Sequence, residues 1–175
     1  MKIVRYCLTG ISLVLLFFVS LPISKAQEYS WSAVYSLIEN RFPNTPTVDI
    51  ETVERWQKSD ETLFVDVRDE KEYSVSHLKR AKNWTSISDF QNVPKDKRIL
   101  LYCSVGYRSA KLVHALQRKG YTQVYNFKGS IFAWVNAGKP VYLFEEKTPF
   151  VHPYNDIWGQ LLNAKYHSYS TGIER

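Results

Sequence analysis

Four consecutive apolar residues, Ile99-Leu100-Leu101-Tyr102, run without a break into Cys103-Ser104-Val105-Gly106-Tyr107-Arg108, and this junction constrains the chain more than any other stretch. An uninterrupted apolar run predicts a strand covered on both faces, as in a parallel sheet. Past the turn, Ser109 to Lys119 places Leu112, Val113 and Leu116 on one helical side and ends in Arg118, Lys119 and Gly120, residues that suit a helix terminus. The same alternation continues on either side. Leu63-Phe64-Val65-Asp66-Val67 reads as a buried strand and Val124-Tyr125 as a short one; Gly129-Ser130 is a turn, and Ile131 to Ala137 is a helix stopped by Gly138 and Pro140. Upstream, Trp31 to Asn40 has helical spacing until Pro43 and Pro46, and Asp49 can cap a second helix from Ile50 to about Lys58. Strands alternating with helices imply an α/β fold with a mainly parallel sheet and helices on both faces, a three-layer domain.

Residues 1–26 stand apart from this pattern. Lys2 and Arg5 precede an apolar run from Tyr6 to Leu21, then Pro22 and the small residues Ser24 and Ala26. That order predicts a secretory signal peptide cleaved after Ala26, and hence a periplasmic or secreted protein; the apolar run is short for a membrane span, so no stable span is expected after cleavage. Cys7 precedes the apolar run and so is not placed for lipid attachment at the cleavage point. Cleavage removes Lys2, Arg5 and Lys25 and no acidic residue, so the formal charge falls from +6 to +3. The remaining Lys and Arg are interspersed with Asp and Glu, which argues against nucleic acid as a partner. The chain then divides into a leading helix and linker over 27–47, a domain over 48–142 and an aromatic C-terminal extension over 143–175, with no internal repeat.

After cleavage Cys103 is the only cysteine, so no internal disulfide can form. A lone thiol is either buried and inert or exposed and used. Its setting favours use. A cysteine at the carboxyl end of a central strand, just ahead of a helix, lies where open α/β sheets place their ligand sites. Backbone N–H groups from Ser104 to Ser109 would curl around the sulfur at the positive helix end, and Arg108 adds a full charge, so the thiolate is favoured over the thiol. The same loop of Ser104, Val105, Gly106, Tyr107, Arg108 and Ser109 could also hold an anionic group delivered to the sulfur. The competing reading is a small buried core residue.

Leu63-Phe64-Val65-Asp66-Val67-Arg68, Glu72-Tyr73, His77-Leu78 and Ala81-Lys82-Asn83, followed by Leu101-Tyr102-Cys103, the loop ending Arg108-Ser109, Gly120-Tyr121, Val124-Tyr125-Asn126, Gly129 and Ala133-Trp134, together resemble a rhodanese domain. The resemblance covers roughly Val48 to Tyr142. It implies a five-stranded, mainly parallel sheet and a sulfurtransferase in which Cys103 takes a sulfane sulfur from a donor such as thiosulfate, becomes a persulfide, and passes the sulfur to a thiophilic acceptor. It also implies that Asp66 helps brace the active-site loop, that Arg68 pairs with Glu72, and that His77 is a structural hydrogen-bond partner. No cofactor or metal is implied. Ser104 stands where many members carry Arg, Tyr107 is bulkier than usual, and Ser130 replaces the second glycine of a Gly-Gly pair. Fewer charges facing the substrate favour a neutral or thiol-based donor over thiosulfate; the expected partner is a small sulfur-containing anion or a thiol persulfide, and a protein acceptor and a homodimer stay open.

Two rivals are a sulfur-carrier or protein-docking module without turnover and a cysteine-dependent phosphatase. Cys103 and Arg108 have four residues between them, one fewer than the related phosphatase loop. The extension, with Phe144, Phe150, Tyr154, Trp158, Tyr166 and Tyr169, is expected to pack over the domain as a strap. Part of it, around His152-Pro153-Tyr154 and Trp158, is expected to overhang the Cys103 loop or form a subunit contact. His152 and His167, fifteen apart with no cysteine near, lack metal-ligand spacing.

Overall fold

Alternate side chains of the apolar strands go to opposite faces of one sheet, and the helices follow from that. The structure, a computed structural model, describes residues 30–170. The expected export signal, with Lys2, Arg5 and Cys7, lies outside the described residues. In chain order the elements are α1 (Trp31–Arg41), β1 (Thr47–Val48), α2 (Ile50–Trp56), β2 (Thr62–Asp66), α3 (Glu70–Tyr73), β3 (Lys82–Asn83), a 3-10 turn (Ile87–Phe90), β4 (Arg98–Tyr102), α4 (Tyr107–Arg118), β5 (Val124–Phe127) and α5 (Ser130–Asn136). The C-terminal extension adds β6 (Val141–Leu143), β7 (Glu146–Thr148), α6 (Asp156–Gly159) and a last 3-10 turn (Ala164–Tyr166).

The five strands β1 to β5 form one sheet in the order β1-β5-β4-β2-β3, every pair parallel. β4 is central, and its burial on both faces accounts for the absence of polar residues from Ile99 to Tyr102. Leu100 and Tyr102 of β4, with Phe64 of β2 and Phe127 of β5, pack on one face against Val34 and Ile38 of α1, Val53 of α2 and Ile131, Phe132 and Trp134 of α5. Ile99 and Leu101, with Val65 and Val124, pack on the other face against Val113 and Leu116 of α4, Phe90 and Tyr121. Each fully buried Leu or Ile removes enough apolar surface from water to contribute about 1.5–3 kcal/mol, so this β4 alternation makes the two-sided arrangement far more stable than a one-sided sheet.

The helices start where the sequence supplies caps. Ser30 Oγ accepts the Ala33 N–H at 3.3 Å ahead of α1, and Asp49 Oδ1 accepts the Thr52 N–H at 2.9 Å ahead of α2. The two edge strands, β1 and β3, have only two residues each, too short for a hydrophobic period to reveal. The extension is built into the same core. Val151, Leu161 and Leu162 are buried in the α1/α5 cluster, and Asn136 at the end of α5 gives an amide N–H to Leu161 O at 2.8 Å while accepting the Asn163 N–H at 2.9 Å.

Candidate active site

Cys103 follows the last residue of β4, at the carboxyl edge of the sheet, and its position is set by α5 as much as by β4. Its N–H donates to Ser130 Oγ at 3.1 Å, Ser130 Oγ donates to Phe127 O at 3.1 Å, and the Ile131 and Phe132 N–H groups donate to Cys103 O and Ser104 O. Ser130 holds a left-handed backbone, with φ of 52°, to make these contacts. The glycine-to-serine change at this position therefore supplies a hydroxyl that ties the cysteine to β5.

The loop then turns at Gly106, whose φ of 108° is disfavoured for any residue with a Cβ. That conformation aims the Gly106 N–H at Cys103 Sγ, 3.1 Å away, and the Ser109 hydroxyl lies 3.6 Å from the same sulfur. Cys103 is 1 % exposed. Burial alone pushes its thiol pKa up, but the Arg108 charge, the Ser109 N–H and hydroxyl and the Gly106 N–H outweigh it and hold the pKa below the ordinary thiol value. The surroundings of the sulfur thus favour its thiolate form inside a nearly closed loop.

Arg108, whose charge acts on this sulfur, is held by an ion pair that the sequence did not disclose. Its Nη1 and Nη2 donate to Glu72 Oε2 and Oε1 at 2.7 and 2.8 Å, and Nη2 also donates to Ser104 Oγ at 3.0 Å. Ser104 Oγ donates in turn to Glu72 Oε1 at 3.0 Å, and Asp69 N–H closes the α3 terminus on Glu72 Oε2. Glu72 is fully buried; burial disfavours its charge, yet the hydrogen bonds and charge of Arg108, with the charge of Arg68, keep its pKa below the usual carboxylate value. The expectation that Arg68 pairs with Glu72 is corrected here. Arg68 instead binds Asp66, Nη2 to Oδ2 at 2.7 Å and Nε to Oδ1 at 3.0 Å, and donates to Ser76 O. Asp66 therefore holds Arg68, and the side chain that braces the loop is Glu72, because the chain bends at Arg68, whose N–H and guanidinium both bind Asp66, while Glu72 of α3 meets Arg108 of α4. His77 sits apart, stacked on Tyr73 at 4.1 Å with its Nδ1 at Leu78 O.

Above the sulfur is a cavity of about 310 Å³ lined by Cys103, Ser104, Val105, Tyr107 and Arg108 from the loop and by Tyr154 and Trp158 from the extension. The Tyr154 ring lies 4.7 Å from the Arg108 guanidinium carbon. Tyr154 is held by its N–H to His152 Nδ1 at 3.0 Å, and burial pushes the His152 pKa down, so the neutral ring that accepts this bond is favoured. The extension thus covers the loop as well as packing on the core. A larger cavity of about 470 Å³ between α1 and β5, lined by Tyr35, Glu39, Asn126 and Lys128 among others, has no cysteine in its lining. Chemistry and not size selects the Cys103 cavity.

The matched relatives agree with this geometry. Residues 49–137 match the rhodanese-like domain. Similar curated proteins include a tRNA uridine(34) hydroxylase of Onion yellows phytoplasma, 32 % identical over 84 residues that cover 42 % of this chain and 27 % of that protein. A sulfurtransferase of Allochromatium vinosum is 39 % identical over 49 residues, covering 28 % of this chain and 46 % of that one. The chain thus spans less than half the length of these relatives. The rhodanese-like domain of an Anabaena protein superposes with a TM-score of 0.52 at 21 % identity, covering 63 % of this chain and 89 % of that one. Thiosulfate sulfurtransferase of Pseudomonas aeruginosa gives a TM-score of 0.54 at 18 % identity, covering 64 % of this chain and 22 % of that one. At such identities the likeness to the solved structures is one of fold. Because the matched segment takes in half of the chain and carries β2 to β5 and the Cys103 loop, the protein belongs to the rhodanese-like domain family.

Proposed function

We propose that this protein is a sulfurtransferase that carries sulfane sulfur as a Cys103 persulfide. The observation that carries the reading is the setting of the sulfur, which favours its thiolate: Sγ accepts an N–H at 3.1 Å and lies in the field of the Arg108 charge while almost wholly shielded from water. The thiolate attacks the sulfane sulfur of a donor such as thiosulfate or a thiol persulfide. A sulfur–sulfur bond to Sγ forms as the donor's own sulfur–sulfur bond breaks, and sulfite or a thiolate leaves with the electron pair. A thiophile, cyanide or a second thiol, then takes the outer sulfur and regenerates the thiolate. This chemistry needs no metal or organic cofactor. A phosphatase would need Arg108 to turn toward phosphate, and Glu72 already occupies two of its N–H directions.

The burial of Cys103 favours one further reading, a carrier that accepts sulfur and releases it only to a protein partner. Residues 1–26 support export to the periplasm or beyond, with the domain acting there after cleavage. Intact-mass measurement after incubation with thiosulfate, or with a thiol persulfide, tests the proposal. A gain of one sulfur that is absent from Cys103→Ser and discharged by cyanide is the expected result. Loading without discharge to small thiophiles supports the carrier, and no loading by either donor class refutes both.

A further inference from the structure

We infer that Tyr154 and Trp158 of the C-terminal extension are specificity-determining residues of the Cys103 site, and that they select a thiol persulfide with a small, uncharged, apolar body over thiosulfate and other anionic donors. The inference rests on the sulfur-transfer reading and assigns its donor class.

The charge of the site points this way first. Among the residues lining the cavity Arg108 is the one cation, and it gives two N–H groups to Glu72 and one to Ser104 while the Tyr154 ring covers its face. Three of the five guanidinium N–H groups are thus engaged and the Arg108 charge is largely neutralised by a fully buried carboxylate, so an oxyanion finds little net positive charge, and a dianion would also face the Cys103 sulfur with no second cation among the lining residues. The walls point the same way. Val105, Tyr107, Tyr154 and Trp158 offer aliphatic and aromatic surface, which rewards an apolar body and penalises a charge stripped of water.

The roof is also built into the fold. Tyr154 holds a left-handed φ of 67° against the His152 ring, which is itself 5 % exposed, and Asn155 Oδ1 accepts the Trp158 N–H at 3.0 Å. Leu161 and Leu162, immediately beyond, are core residues. The two rings therefore bound a fixed space of about 310 Å³, small enough to discriminate by size and by charge. In the transfer itself Cys103 Sγ attacks the outer sulfur of the persulfide RS–SH. The Sγ–S bond forms, the RS–S bond breaks, the proton stays on the transferred sulfur and RS⁻ departs through the apolar cavity.

The test uses the full chain and three donors: benzyl persulfide, the persulfide of mercaptosuccinate, and thiosulfate. Each loading rate, read as the Cys103-dependent gain of one sulfur, is divided by that donor's rate with a small free thiol to remove intrinsic reactivity. Benzyl persulfide is expected to exceed both anionic donors by about tenfold or more, and Tyr154→Ala or Trp158→Ala to shrink that ratio by about tenfold, slowing benzyl persulfide and speeding thiosulfate. Trp158→Phe is expected to keep most of the preference. If an alanine variant does not fold, the wild-type ratio and the phenylalanine variant still decide the matter. A wild type that takes thiosulfate as fast as benzyl persulfide, or folded alanine variants whose ratio stays within about twofold of wild type, would overturn the inference. If no donor loads Cys103 in any variant, the sulfur-transfer reading itself is what fails.

Discussion

Replacing Glu72 by Gln should destabilise the protein and at the same time make Cys103 more acidic, two effects of opposite consequence for the site. Glu72 is fully buried and makes four contacts: two Arg108 N–H groups, the Ser104 hydroxyl and the Asp69 N–H. Glutamine keeps one acceptor oxygen but turns an amide N–H toward donors, so about half of these contacts are lost or reversed. Breaking a fully buried ion pair costs about 3–5 kcal/mol. The Arg108 side chain is 30 % exposed, so water takes up part of its released charge, and the expected loss is about 2–3 kcal/mol. The released guanidinium charge then acts on Sγ without an opposing carboxylate, which lowers the thiol pKa beyond the lowering already present. The acid limb carries a second signature. Because the Glu72 pKa is lowered by folding, its contribution is complete above the ordinary carboxylate value and is lost as the pH falls through the folded value. The gap between wild type and Glu72→Gln should therefore close in acid. Urea unfolding across pH measures the first effect, and the pH profile of Cys103 alkylation measures the second. A loss under about 1 kcal/mol near neutral pH, or a less acidic thiol, would refute this account of the Glu72–Arg108 pair.

Arg108→Met should move the thiol the other way, raising its pKa, and should cost about 3–4 kcal/mol because the Glu72 carboxylate is left buried and unpaired; the same alkylation profile and urea curve read both. Gly106→Ala forces a Cβ onto a φ of 108°, 3.4 Å from Phe127 O, and should cost about 1–3 kcal/mol while pulling the Gly106 N–H off the sulfur, again making the thiol less acidic. Arg68→Met strands the fully buried Asp66 carboxylate and should cost about 3–5 kcal/mol in unfolding free energy with little change in the alkylation pH profile, which separates the structural pair from the site pair. N-terminal sequencing of the protein recovered from a secreting host should begin at Gln27, and recovery of an intact Met1 from the secreted fraction would count against cleavage after Ala26.

The strand Ile99–Tyr102, the loop from Cys103 to Arg108 and the helix beyond were legible because each is a local pattern: an apolar run, a glycine in a tight turn, and a 3.6-residue period ending in basic residues and Gly120. Local order also singled out Cys103 as the candidate nucleophile, since it stands between a buried strand and a helix start. Helix ends fell within a residue or two for the same reason. The strands Thr47–Val48 and Lys82–Asn83 left no such trace, because two residues carry no period and their pairing partners, Asn126 with Phe127 and Val65 with Asp66, lie far along the chain.

Which charge meets which was decided by the tertiary structure alone. Asp66, Arg68, Glu72 and Arg108 offer several pairings on paper, and the family resemblance suggested the wrong one. The turn into α3 points Glu72 at a side chain 36 positions away, while Arg68 folds back on its own strand. The Ser130 hydroxyl under Cys103 is likewise a contact across 27 positions that no residue spacing encodes, and of the two placements the sequence left open for Tyr154 and Trp158, over the Cys103 loop or in a subunit contact, the fold puts them over the loop. The sequence by itself determined a cysteine at the end of a central strand in a setting that lowers its pKa, because the groups that make it more acidic are its near neighbours in the chain. The tertiary structure determined how much charge that thiolate faces and what shape of molecule can reach it, because both depend on side chains brought together only when the whole sheet and the extension have closed around one core.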